Sequence, residues 1–118
     1  MEYKRSDRVA DLLQKEIADL VLRRVKDPRL ANITITGVKI SDDLKHARVF
    51  YCVMGGSEGE DAKKNAAAGL QKAKGFIRLE LGRRLSLRYV PELGFDYDAS
   101  FEYGDKIERL LKELHKDE

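Results

Sequence analysis

The sequence predicts a single α+β domain, and three patterns indicate that class. Residues 7–25 carry apolar side chains at helical spacing, and residues 62–81 do the same. Between them, residues 33–40 and 46–54 have the two-residue side-chain period of strands and are joined by a short polar turn, which predicts an antiparallel hairpin. A chain of 118 residues can bury one hydrophobic core but not two, so we expect one domain.

The first helix is predicted over residues 7–25. It ends by Asp27, because Pro28 disfavours helical geometry at the residue before it. The Asp27–Pro28 pair is therefore interpreted as a turn, from which Lys26 and Arg29 point outward. If Arg29 is a free surface cation, its replacement by alanine should leave the melting temperature nearly unchanged.

Cations surround the start of this helix. Ser6 is the predicted N-cap, and three cations lie close to it in sequence: Lys4, Arg5 and Arg8. Positive charges at a helix N-terminus oppose the macrodipole, which a bound anion such as a phosphate would explain. A solvated helix start compensated by nearby aspartates explains the pattern equally well, and both interpretations stay open.

The hairpin contains a phase slip. Ile33 and Ile35 share one face, but after Gly37 the apolar parity switches, which predicts a β-bulge at Gly37 with Ile35 and Val38 both facing buried surface. The second strand, residues 46–54, is apolar on both faces and is therefore expected in the interior of the sheet.

The stretch from 62 to 81 is predicted to be two helices separated by a kink. Its apolar stripe contains Ala66, Leu70, Ala73, Ile77 and Leu81. The kink is placed at Ala73-Lys74-Gly75, because a glycine inside a helix costs about 1 kcal/mol relative to alanine, and Lys74 is expected to be exposed at the bend. Tight packing is the alternative reason for Gly69 and Gly75. The second helix is expected to fray after Gly82.

The remainder of the chain predicts a third strand and a short terminal helix. Leu93, Phe95 and Tyr97 alternate with polar residues, and Asp105 is the predicted cap of an acidic C-terminal helix. The glycine-rich loop at residues 55–60 matches no phosphate-binding fingerprint, so we expect no nucleotide site there.

Several function classes find no support. No apolar run approaches the ~20 residues of a membrane span, the N-terminus lacks the apolar core of a signal peptide, and the single cysteine fits a reducing cytoplasm. The two histidines and Cys52 show no metal-ligand spacing. We therefore expect a cytoplasmic protein that is not an enzyme and takes no cofactor or small-molecule substrate.

The charge distribution instead predicts nucleic-acid binding. Residues 61–90 contain eight basic and two acidic residues, whereas residues 91–118 contain four basic and nine acidic ones. This asymmetry indicates a basic working face and an acidic tail, the alternative being an ordinary charged helix surface. The predicted RNA-binding residues are Lys72, Lys74, Gly75, Arg78, Arg83, Arg84 and Arg88, together with Lys4, Arg5, Arg8, Lys26 and Arg29. Because this basic stretch has only two aromatic residues, Phe76 and Tyr89, we expect phosphate and shape recognition with little base reading.

A set of short motifs runs through nearly the whole chain. They are Arg8-Val9, Glu16-Ile17-Ala18, Val25-Lys26-Asp27-Pro28-Arg29-Leu30, Ser41-Asp42-Asp43-Leu44, Ala47-Arg48-Val49, Ala73-Lys74-Gly75-Phe76-Ile77-Arg78, Leu87-Arg88, and Val90-Pro91-Glu92-Leu93 with Phe95. In this order and at these spacings the chain resembles the bacterial ribosome-binding factor A family. Its C-terminal tail is short for that family.

The resemblance implies a fold and a role. The fold would be a single type II KH-like domain of order α-β-β-α-kink-α-β, with residues 1–104 as the RNA-binding part and residues 105–118 as a short acidic helix and tail. In that family an Ala-x-Gly kink, here Ala73-Lys74-Gly75, replaces the usual GxxG loop. The role would be assembly of the 30S subunit: association with free 30S particles, maturation of 16S rRNA near its 5′ end, and growth in the cold. We expect a monomer. The alternative function is a protein–protein adaptor that uses the acidic C-terminal helix.

Overall fold

The computed structural model describes residues 4–53 and 60–116. Its elements, in chain order, are α1 (Arg5–Arg23), a 3-10 turn (Pro28–Leu30), β1 (Ile33–Ile40), β2 (His46–Val53), α2 (Glu60–Arg84), β3 (Glu92–Tyr97) and α3 (Ala99–Lys116). The strands form one sheet in the order β1-β2-β3, with β2 antiparallel to β1 and parallel to β3. The α+β class is therefore confirmed.

Helix α1 begins slightly earlier than the sequence predicts. Lys4, not Ser6, is the N-cap, and its backbone N–H donates to the Asp7 carboxylate at 3.0 Å. A carboxylate in the first turn also suits the helix dipole. The helix ends at Arg23, before Asp27 as expected, and buries Leu13 and Ile17 in the core.

The predicted bulge in the hairpin is confirmed. Ile35 pairs with Tyr51 and Gly37 pairs with Phe50, so Thr36 is the additional residue. Ile35 is buried and Val38 packs against the core, which is the outcome expected from the parity switch. Strand β2 is the central strand, as its two apolar faces predict, although Met54 lies outside the described residues.

The predicted kink is wrong, because α2 is one continuous helix of 25 residues. Leu70 and Ile77, on either side of Gly75, are both fully buried and hold the same apolar stripe on the core. Burying one such side chain is worth about 1.5–3 kcal/mol, more than the ~1 kcal/mol that a helical glycine costs. The helix also continues through Gly82 to Arg84 instead of fraying. The order is thus α-β-β-α-β-α. The kink between two helices, which was the main structural support for the type II KH-like assignment, is not present in α2.

The two glycines inside α2 have different environments. A Cβ atom at Gly69 would lie 3.0 Å from Leu30 Cδ2, so close packing explains that glycine, although the partner is the 3-10 turn and not the sheet. A Cβ atom at Gly75 would meet nothing within 4 Å. No packing contact within the described part of the domain therefore requires a glycine at position 75.

The C-terminal helix begins earlier than predicted and is longer. Asp98, not Asp105, is at its start, where its carboxylate accepts a hydrogen bond from the Ser100 backbone N–H at 3.1 Å. Ala99, the first residue of α3, has the same parity as Leu93, Phe95 and Tyr97, so the alternation alone does not show where the strand ends. Residues 99–116 contain four acidic and four basic residues, so α3 itself is neutral. The acidic excess of this region lies in residues 92–98 and 117–118.

Two structural findings bear on function. No helix within the described part of the chain is long and apolar enough to cross a bilayer. Among residues 4–53 and 60–116, no group of three or more His, Cys, Asp and Glu side chains is placed to hold a metal ion.

Candidate nucleic-acid interface

The continuous geometry of α2 divides its cations between two flanks. With 3.6 residues per turn, Lys72 and Arg83 lie about three turns apart on one side, whereas Lys74 and Arg78 lie about one turn apart on another. Lys74 follows Lys72 by roughly 200° of rotation. Because no kink reorients the chain, these residues do not share one face. We call the two sides the α1-facing flank and the β3-facing flank.

The α1-facing flank meets the 3-10 turn in a small group of cations. The Gly69–Leu30 contact brings α2 against the turn, and Lys72 lies one helical turn beyond it. Lys26, Arg29 and Lys72 are all exposed there. We call these three residues the turn cluster. Lys26 and Arg29 flank Asp27 and Pro28 in the sequence, and the fold brings Lys72 of α2 close enough for its charge to act on the Asp27 carboxylate.

Asp27 is the centre of this group. Its carboxylate accepts hydrogen bonds from Arg29 Nε at 3.0 Å and Arg29 Nη2 at 2.7 Å, and from the Arg29 backbone N–H at 2.9 Å. These hydrogen bonds, with a smaller contribution from the charge of Lys72, lower the pKa of Asp27 to about 2. The turn predicted for Asp27 and Pro28 is confirmed. Arg29, however, is not a free outward cation, because its guanidinium binds Asp27 in a fork.

This geometry predicts a pH-dependent effect of Asp27→Asn. Asparagine keeps the capping oxygen but loses the charge, so we expect a lower melting temperature at neutral pH. The folded pKa of Asp27 is depressed, so the carboxylate stabilises the fold fully above its ordinary pKa of 3.8, and that stabilisation is lost as the pH falls towards 2. Thermal melts from neutral pH down to about pH 2 should therefore show the variant and the wild type converging.

The control is Asp42→Asn, which changes an exposed aspartate in the β1–β2 turn. It should show no comparable convergence. A constant difference between Asp27→Asn and the wild type at every pH would contradict the assigned role of the carboxylate. Arg29→Ala should also lower the melting temperature at neutral pH, contrary to the expectation from the sequence.

On the β3-facing flank, Arg78 is occupied within the domain. Its Nε donates to the Pro91 carbonyl at 3.1 Å, its Nη2 donates to the Val90 carbonyl at 3.0 Å, and Glu92 lies 3.4 Å from Nη2. Lys74 is partly buried and not exposed at a bend. This flank therefore fixes the segment that enters β3, which includes the exposed Arg88.

Arg84 is also occupied. Its Nη1 donates to Glu16 at 3.0 Å and to Asp19 at 2.8 Å, which ties the end of α2 to the middle of α1. These contacts raise the pKa of Arg84, and the hydrogen bond from Arg84 lowers the pKa of Asp19. Arg83 differs, because its side chain is 69% exposed although it pairs with Glu80 at 3.3 Å.

The N-terminal cations form a separate site on the surface. Lys4, Arg5 and Arg8 are exposed, and Lys4 lines a shallow pocket together with Val38 and Ile40 of β1. They lie at the opposite end of α1 from the turn cluster, and a helix of 19 residues is about 28 Å long. The fold therefore does not join these two predicted groups. Arg24, which the sequence patterns did not single out, is exposed just after α1; its position in the basic run Arg23–Arg24–Val25–Lys26 was the available signal.

The family follows from comparison with known proteins. Residues 5–111 match the family model described as ribosome-binding factor A. The chain belongs to the ribosome-binding factor A family. The ribosome-binding factor A of Syntrophobacter fumaroxidans is 65% identical over 118 residues and covers all of both chains. That of Syntrophus aciditrophicus is 55% identical over 118 residues, which is 99% of this chain and 93% of the relative.

Solved structures of ribosome-binding factor A share the fold. The crystal structure of ribosome-binding factor A from Thermus thermophilus superposes with a TM-score of 0.68 over 80% of this chain and 97% of the other, at 23% identity. A homology model of the Thermus thermophilus ribosome binding factor A, fitted into a cryo-EM map of its complex with 30S, gives a TM-score of 0.59 at 26% identity and covers 74% of this chain and 88% of the other.

Proposed function

We propose that this chain is a 30S assembly factor that binds 16S rRNA through phosphate contacts centred on the turn cluster. Membership of the ribosome-binding factor A family supports this proposal, and the Thermus thermophilus homology model fitted into the map of a 30S complex is 26% identical to this chain. The finer role would be association with free 30S particles during maturation of the 16S rRNA 5′ end, with a growth benefit in the cold.

One structural observation carries the proposal. The exposed cations Lys26 and Lys72 come from the segment after α1 and from the middle of α2, and they meet at the 3-10 turn, where Arg29 is exposed but bound to Asp27. Such a group neutralises phosphates and positions a protein on RNA without reading its sequence. A solvated helix surface does not require cations of the turn and of α2, which are far apart in sequence, to converge.

The other predicted residues have different roles within this proposal. Arg83 and Arg88 are exposed and extend the interface towards the end of α2. Arg78 and Arg84 are held by other parts of the domain and act as structural residues. The group Lys4, Arg5 and Arg8 would form a second phosphate contact, and Lys74 and Gly75 contribute less directly.

The chain would be a monomeric, cytoplasmic, type II KH-like protein without enzymatic activity or cofactor. In it, the unbroken helix α2 would take the place of the two kinked helices that the resemblance implies. Sedimentation of the purified protein, alone and with 30S particles, tests the monomer and the association together.

The test is a salt series with charge-reversal variants. We expect Lys26→Glu and Lys72→Glu to bind 30S particles more weakly and to lower the slope of log affinity against log salt by about 1 for each phosphate that is no longer neutralised. Their thermal stability should change by less than about 0.5 kcal/mol, because both side chains are exposed. Filter binding over the salt series, beside thermal melts, measures both quantities.

The matched control lies two residues away on the same helix. Lys74→Glu changes the same charge on the β3-facing flank and should reduce binding less than Lys72→Glu does. Glu108→Lys on α3 should not weaken binding. The proposal is wrong if Lys26→Glu and Lys72→Glu both bind like the wild type with unchanged salt slopes. Equal losses of affinity in Lys72→Glu and Lys74→Glu would show that the interface is not centred on the turn cluster.

A second candidate function is docking of α3 into an apolar groove on another protein. The observation that favours it is an exposed stripe at helical spacing, with Ile107, Leu110, Leu111 and Leu114 between 39% and 66% exposed. Side chains at i, i+3, i+4 and i+7 are the anchors of such helix-in-groove contacts. Binding through this stripe would persist at high salt, which distinguishes it from phosphate recognition.

A further inference from the structure

The segment between α2 and β3 is held in place on both sides of Arg88 and Tyr89. Before them, Leu87 packs against the core. After them, the carbonyls of Val90 and Pro91 accept hydrogen bonds from Arg78. A Cβ atom at Gly82 would lie 3.2 Å from Val90 Cγ2, so the Val90 side chain packs directly on the α2 backbone. The two exposed residues are therefore presented from a fixed backbone.

Tyr89 is a large aromatic side chain in the open. It is 62% exposed, and its ring lies 5.6 Å from the guanidinium carbon of Arg88. The sequence of this segment, residues 83–90, contains three arginines and no acidic residue. A fixed, exposed ring beside the exposed guanidinium of Arg88 suits a partner that is both flat and anionic.

Phe50 is another aromatic residue with cations near its ring, and it is less accessible than Tyr89. Lys39 Nζ lies 5.9 Å from the centroid of its ring and Arg48 Cζ lies 5.6 Å from it. Phe50 is also partly buried on the central strand. Phe50 therefore has two cations near its ring and is partly buried, whereas Tyr89 has one cation near its ring and is largely exposed.

We infer that Tyr89, with Arg88 beside it, is a stacking site for an unpaired nucleobase of single-stranded RNA. This inference rests on the proposed RNA-binding function and names one nucleotide contact within it. Stacking on an aromatic ring tolerates any base, so it adds affinity for an unpaired nucleotide without reading sequence. Arg78 is the positioning residue, because its hydrogen bonds fix the backbone that presents the ring.

The test compares a short oligoadenylate RNA with an abasic oligonucleotide of the same length and charge. Tyr89→Ala should weaken binding of oligoadenylate by about 5- to 100-fold and leave binding of the abasic oligonucleotide unchanged. Tyr89→Phe should bind both like the wild type. The chain contains no tryptophan, so Tyr89→Trp introduces a single indole fluorophore that oligoadenylate should quench and the abasic oligonucleotide should not.

Each other result overturns the inference. The inference is wrong if the wild-type protein does not prefer oligoadenylate over the abasic oligonucleotide. It is also wrong if Tyr89→Ala weakens the binding of both oligonucleotides equally, or if oligoadenylate does not quench the fluorescence of Tyr89→Trp. These failures are separable from failure of the proposed function, which is measured on 30S particles with Lys26→Glu and Lys72→Glu. If those variants lose salt-dependent binding while Tyr89→Ala behaves like the wild type, the phosphate interface stands and only the stacking site is lost.

Discussion

Replacing Arg78 by alanine is expected to lower the free energy of unfolding by about 1–3 kcal/mol. The Arg78 guanidinium donates to the carbonyls of both Val90 and Pro91, and Pro91 is buried. Without the arginine, these acceptors lose their donor at the point where the chain enters β3. Chemical denaturation of wild type and variant measures the difference.

Two further variants show whether geometry or charge is responsible. Arg78→Lys keeps the positive charge but cannot reach two carbonyls with a planar fork, so it should recover little of the lost stability. Lys64→Ala removes an exposed cation from the same helix and should change stability by less than about 0.5 kcal/mol. If Arg78→Ala unfolds like Lys64→Ala, Arg78 is a surface cation and returns to the candidates for direct RNA contact.

Replacing Gly75 by alanine is expected to raise the free energy of unfolding by about 0.5–1 kcal/mol. Gly75 lies inside a continuous helix, on its exposed side, and an added Cβ atom would meet nothing within 4 Å. Alanine then gains helix propensity without a steric cost. The same substitution at a kink with non-helical backbone geometry would lower stability, so equilibrium unfolding tests the continuity of α2 directly.

Gly69→Ala is the matched comparison for Gly75. It has the same helical backbone, but the new Cβ atom would lie 3.0 Å from Leu30 Cδ2 and 3.3 Å from Asp27 Oδ2. We expect it to gain less stability than Gly75→Ala. A larger gain at Gly69 would mean that the turn is not packed against α2 as the structure shows.

Much of the fold was predictable because each element carries its own signal. The parity switch after Ile35 located the bulge, and the two apolar faces of β2 located the central strand. The failures lie where local rules compete with burial. Gly75 predicted a break that the buried stripe through Leu70 and Ile77 overrides, and the strand parity of Tyr97 concealed the capping role of Asp98.

The candidate site was less predictable than the fold, since a cation in a sequence shows its charge but not its partners. Arg78, Arg84 and Lys72 belong to one basic stretch and were equivalent candidates. The structure gives the first two acceptors within the domain and leaves Lys72 exposed near Asp27. Tyr89 was visible in the sequence, but its exposure and its fixed backbone were not.

The sequence by itself determined the α+β class, the hairpin with its bulge, the turn at Asp27 and Pro28, and the family, because these depend on side-chain period, backbone restrictions and motif order. Only the tertiary structure decided which cations are available to a partner. That outcome depends on contacts between residues far apart in sequence: Gly69 against Leu30 brings Lys72 to the turn, and Glu16 and Asp19 bind the guanidinium of Arg84, a predicted site residue. Such contacts are formed when helices pack, and no local pattern in the chain specifies them.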